Sequence, residues 1–134
     1  MKALSIISTC VLVFCLACQS RTSKTNENQY EQFDSVKIVN HTPNHYIKHS
    51  ISINYSSDIQ DIKSQLDLLN PVQDMNLKAN QGLYELILFN KGEEVETWDV
   101  TYTTYDGVVI TNENTNRQYK NNKLEMLLLA LLSD

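Results

Sequence analysis

The sequence predicts an α+β domain, an antiparallel sheet of about five strands with two helices packed on it. Three observations predict it. Residues 46–55 alternate apolar and polar side chains, as a strand with one buried face does. Asn90-Lys91-Gly92 and Tyr105-Asp106-Gly107 place glycine-containing turns between β-rich runs, the pattern of an antiparallel meander. Residues 57–69 and 122–132 carry apolar side chains at helical spacing. If those two segments were strands instead, the alternative would be a lipocalin-like β-barrel.

The elements follow in order. Val36, Ile38 and Val39 around Lys37 mark a short strand over residues 35–39, and Asn40-His41-Thr42-Pro43-Asn44 reads as a loop. In the next strand Ile47, His49, Ile51, Ile53 and Tyr55 share one face, with Tyr46, Lys48, Ser50, Ser52 and Asn54 on the other. Ser57-Asp58-Ile59-Gln60 fits a capping box, in which a serine hydroxyl takes a free amide and the glutamine reaches back. The helix it opens aligns Ile59, Ile62, Leu66 and Leu69 and stops at Asn70-Pro71. Residues 72–81 show no dominant period. Residues 83–89 form an apolar run broken by Glu85, the mark of a central strand.

Residues 93–104 and 108–112 are two further strands. Along the first, Trp98, Val100 and Tyr102 occupy one face, and Thr97, Asp99, Thr101 and Thr103 the other. A sheet needs one apolar face, so the first set is assigned to the core. Residues 112–116 form a polar loop. Asn122-Lys123-Leu124-Glu125 then supplies an N-cap and an acidic third position for a helix through Leu132, with Leu124, Leu127, Leu128 and Leu131 on its main stripe. Met126, Leu129, Ala130 and Leu132 widen that stripe, so the helix is either clamped in the core or docks a partner. It offers few cations for a membrane surface.

The amino terminus carries an address. Lys2 precedes a mostly apolar stretch over residues 3–14, which closes on Cys15-Leu16-Ala17-Cys18. This is short of the roughly 20 residues a membrane span needs, but it fits an export signal. Leu16-Ala17-Cys18 resembles the lipobox of bacterial prolipoproteins. The resemblance implies that Cys18 receives diacylglycerol and becomes the mature terminus, anchoring the protein to a membrane of the cell envelope. Gln19 in place of aspartate implies sorting to the outer membrane, facing the periplasm. Cys15 stands where that family usually carries Leu, Val or Ile. Cys15-Leu16-Ala17 also forms a small-x-small site, whose cleavage would give a secreted or periplasmic protein instead.

The three cysteines, Cys10, Cys15 and Cys18, all belong to this leader, so no disulfide framework is expected beyond it. Residues 1–17 are read as the signal peptide, 18–32 as a polar tether and 33–134 as a single α+β domain. Cleavage leaves 117 residues (134 − 17), enough for one core. With 16 acidic against 11 basic residues and no basic cluster, nucleic acid is not an expected partner.

Catalytic and metal chemistry find little support. His41, His45 and His49 recur every four residues, but in extended chain that step is about 13 Å, too far for adjacent ligands of one ion. His49 falls on the apolar face and is read as a core histidine. Glu93, Glu94, Glu96 and Asp99 lie along a turn and strand, where a charged face that discourages edge pairing accounts for them. No nucleophile elbow, phosphate loop or zinc-protease helix occurs. No enzyme activity, metal or cofactor is expected.

What remains is a surface for contacts. Thr101 and Thr103 with Tyr105, joined by Tyr119 near the turns, are the candidate binding residues. The expected function is a membrane-anchored, non-catalytic module that binds another protein or supports an assembly. An immunity protein or inhibitor against a periplasmic toxin or hydrolase is the first alternative, and a small ligand carrier or hydrolase the second.

Overall fold

The computed structural model describes residues 30–42, 44–73, 81–103 and 106–133. Seven strands and two helices follow in the order β1 (Ser35–Asn40), β2 (Ser50–Ile53), α1 (Ser56–Asp67), β3 (Asn70–Val72), β4 (Gln81–Asn90), β5 (Glu93–Thr103), β6 (Gly107–Asn112), β7 (Arg117–Lys120) and α2 (Asn122–Ser133). They form one open sheet in the order β2-β1-β4-β5-β6-β7-β3, antiparallel at every pairing. The class is therefore α+β. The sheet has seven strands where about five were expected, and it ends in two edges, so no barrel closes.

The strand count differs because β3 and β7 are short and weakly patterned. β7 carries one buried side chain, Tyr119, among polar neighbours. β3 contains Pro71, which lacks an amide donor and is tolerated because this strand pairs on one side alone, with β7. The alternating run 46–55 yields a strand over Ser50–Ile53. Ahead of it Asn44 takes the Tyr46 amide on its side chain and the Ile47 amide on its carbonyl, so a turn displaces the ladder there.

The cap of α1 lies two residues ahead of the expected Ser57, and that of α2 one residue ahead of the expected Asn122. α1 begins at Ser56 with Tyr55 as N-cap and no side-chain cap, while the Ser57 hydroxyl turns to Asp58. The Ser57 capping box is thus not formed. α2 begins at Asn122, and Asn121 is its cap: Oδ1 accepts the Lys123 amide at 3.0 Å. Asn121 also donates to the Gln65 carbonyl at 2.8 Å, tying the start of α2 to α1.

One core lies between the helices and a single face of the sheet. Ile59, Ile62 and Leu66 of α1 and Leu124, Leu128 and Leu132 of α2 meet Val36, Ile38, Leu86, Leu88, Trp98, Val100 and Ile110. The outer side of α2 leaves Met126 at 70% and Leu129 at 39% exposure. Two irregularities in the β4–β5 pairing, between Gly82 and Tyr84 and between Leu88 and Phe89, insert Leu83 and Val95 as extra residues, and both pack toward the core. Lys91 and Gly92 join these strands with φ of 53° and 85°, the left-handed pair a two-residue hairpin requires.

Tyr30, inside the segment read as tether, already packs on the domain. Tyr30 and Phe33 are buried and meet edge to face at 5.6 Å, with the Lys63 ammonium 4.8 Å above the Phe33 ring. Asp34 accepts the Lys91 amide at 2.9 Å, and that bond holds its carboxyl below the ordinary range.

Candidate functional site: the helix-free face of the sheet

Alternation along each strand sends neighbouring residues to opposite faces. The face away from the helices is read directly from the register. Val39, Glu85, Asp99, Thr111 and Gln118 form one row across β1, β4, β5, β6 and β7. Lys37, Ile87 and Thr97 form the next, and Ser35, Phe89 and Glu94 the one after it. Val39, Ile87 and Phe89 are half-buried and stand outside the core cluster, as does the fully buried Val109 of β6. Among the described residues, neither helix contributes to this face.

Carboxylates and hydroxyls are the commonest of its polar groups, beside Lys37, Gln118, Lys120 and the imidazole of His41. Glu85 and Asp99 are direct cross-strand partners, a like-charge juxtaposition that costs stability. Glu85 reaches His41 Nε2 at 4.0 Å, and the same imidazole lies over Gly82, whose added Cβ would meet it at 3.7 Å. Glu113 joins them: its amide donates to the Thr97 carbonyl at 3.0 Å. Partial burial, then the charges of Asp99, Glu85 and Glu94, push the Glu113 carboxyl up. The Thr97 hydroxyl bonds Glu94 at 3.1 Å and that of Thr101 approaches Asp99 at 3.5 Å. The face therefore presents acceptors.

The candidate residues from the sequence separate. Thr101 and Thr103 do lie on this face, yet they are 4% and 5% exposed. Thr103 serves the β5–β6 turn, donating to the Gly107 carbonyl at 3.3 Å and accepting the Asp106 amide at 3.0 Å. Tyr119 is on the opposite face, 4% exposed and 5.6 Å from the Trp98 ring, so it belongs to the core. Tyr105 and Cys18 lie outside the described residues. Tyr102, assigned to the core, is 49% exposed, and His49 is exposed just ahead of β2, an edge strand with a neighbour on one side, where it lies opposite Asn40. Glu96, read as part of a solvated charged strand, is 5% exposed on the helix side. Asp99 is on the other face by plain alternation, and Glu94 is there because the extra residue Val95 shifts the alternation.

A concavity of about 410 Å³ lies between Leu68, Asn70, Lys120 and the start of α2. Lys120 is engaged by Asp106 at 3.7 Å. Among the described residues, no group of three or more His, Cys, Asp or Glu side chains is arranged to hold a metal ion, and no helix is long and apolar enough to cross a membrane. Comparison with protein-family models, with curated proteins and with solved structures finds no match to this chain.

Proposed function

We propose that this protein is a lipid-anchored lipoprotein of the bacterial cell envelope that acts without catalysis, binding another protein through the helix-free face of its sheet. The observation that carries the binding half of the reading is the position of Val39, Ile87 and Phe89, half-buried apolar side chains of central strands that stand outside the core cluster of the described residues. A sheet in water tolerates one polar face, but half-buried aliphatic and aromatic groups on that face favour contact with a partner. The anchor half rests on Leu16-Ala17-Cys18. Between Cys18 and Tyr30, the first described residue, twelve positions from the acceptor through residue 29 could reach at most about 40 Å. An outer-membrane anchor facing the periplasm would thus hold the sheet close to the bilayer and free to meet an envelope protein.

The test is mass spectrometry of the protein isolated with its companions from native membranes. The expected result is a diacylglyceryl adduct on Cys18 and a stoichiometric companion. The substitution Cys18→Ser should leave the domain folded while abolishing lipid labelling. Labelling that persists in this variant overturns the anchor.

A further inference from the structure

We infer that the partner is a cationic polypeptide segment that lies over β1, β4 and β5 on the helix-free face, its apolar side chains against Val39, Ile87 and Phe89 and its lysine or arginine heads against Glu85 and Asp99. This rests on the protein-binding reading above and adds the chemistry of what is bound.

Charge complementarity selects the occupant. Glu85 and Asp99 oppose one another in the middle of the strip, Glu94 opposes Phe89 at its end, and Glu113 lies beside Thr97. Against these four carboxylates the described part of the face sets Lys37 and the imidazole of His41, while Lys120 of β7, on the same face, is engaged by Asp106. The isolated fold therefore keeps a repulsive pair that an incoming cation would relieve. The hydroxyls of Thr97 and Thr101 turn toward carboxylates, so the groups left over are acceptors suited to ammonium or guanidinium donors. Anionic lipid and nucleic acid are repelled by the same charges. Three adjacent strands span about 10 Å, the width of one helix or one extended segment with its side chains.

The purified full-length acylated protein is titrated with a fluorescent peptide of alternating leucine and lysine, with its leucine and glutamate counterpart, and with anionic phospholipid vesicles. The lysine peptide should bind and the other two should not. Glu85→Lys should weaken binding about tenfold or more. It also replaces a like-charge pair by an opposite-charge one, so its melting temperature should rise and lost binding cannot be assigned to unfolding. Lys37→Glu should strengthen binding, and Met126→Glu on α2 should leave it unchanged. Equal binding of both peptides, or an unchanged affinity in Glu85→Lys, overturns the proposal.

In native membranes, a photocrosslinking residue at Ile87 should capture a lysine- or arginine-rich segment, and one at Met126 should not. Capture of an acidic segment at Ile87, or capture at Met126 alone, overturns the cationic partner while the protein-binding reading stands. No protein captured at either position overturns both.

Discussion

Asn112 donates its side-chain amide to one carboxylate oxygen of Glu96, and the other oxygen accepts the backbone amide of Glu31 at 3.0 Å. Both side chains are buried on the helix side of the sheet, in a layer built mainly from aliphatic and aromatic side chains. Asn112 Oδ1 in turn accepts the Thr115 amide at 3.0 Å, so one polar chain links the entry of the domain, β5 and the β6–β7 turn. A buried carboxylate is tolerated when its oxygens are occupied, and removing it strands the donors.

Glu96→Ala should therefore cost about 1–3 kcal/mol in chemical denaturation, the penalty of leaving buried donors without an acceptor. The effect should be local as well as global. Hydrogen exchange at Glu31 should accelerate more than exchange in β6. Uniform acceleration would mean that the entry segment is not held by this carboxylate.

Tyr30 gives an alkaline signature. Burial, then the charge of Asp67 and a hydrogen bond to it, push the phenol up to about 12 from 10.0. The folded state thus holds this proton more tightly than the unfolded chain. Its contribution is fully present below pH 10 and is lost as pH rises through 12. About 2 kcal/mol of stability should disappear over that window, and Tyr30→Phe should flatten it. Denaturation midpoints measured between pH 9 and pH 12 check this, and an equal slope in the variant rejects it.

Glu113 works in the opposite part of the pH scale. Its carboxyl is raised above 4.5 by partial burial and by Asp99, Glu85 and Glu94. The stability linked to it is present below the unfolded value and is lost as pH rises through the folded one. At neutral pH the ionised group is a burden, so Glu113→Gln should raise the melting temperature at pH 7 and leave it unchanged in acid. Glu85→Gln should also stabilise, by about 0.2–1 kcal/mol, because it removes the charge facing Asp99.

Much of this fold is legible in the sequence. The apolar stripes of Ile59, Ile62 and Leu66 and of Leu124 and Leu128 become the buried sides of α1 and α2, because 3.6-residue spacing survives any tertiary context. Strands with a strong apolar content, β1, β4, β5 and β6, also emerge where the pattern places them. β7 does not, since Tyr119 alone supplies its buried face and the pairing with β6 that creates it is non-local. The candidate site is harder still to read. Alternation sorts Thr101 from Trp98, but it cannot say which face the helices cover. At Leu83 and Val95 the extra residues break the parity, which is why Glu96 lands in the core and Glu94 outside it.

Trp98 is the chain's one tryptophan, fully buried between Leu86 and Asn112 in register and against the Tyr119 ring. Its indole Nε1 is buried and has no hydrogen-bond partner among the described residues. Two consequences separate the size of this side chain from its polar atom. Trp98→Ala removes most of a large core residue and should cost about 3–5 kcal/mol. Trp98→Phe keeps an aromatic ring against Tyr119 and also removes the buried unpaired donor, whose desolvation costs about 1–3 kcal/mol. That gain offsets part of the cavity, so the phenylalanine variant should retain most of the stability, by urea denaturation followed through circular dichroism. Emission from the native protein should be blue-shifted and insensitive to iodide, moving to the solvent value on unfolding. If Trp98→Phe is as damaging as Trp98→Ala, the indole N–H contributes a bond and the aromatic packing is not what this position provides.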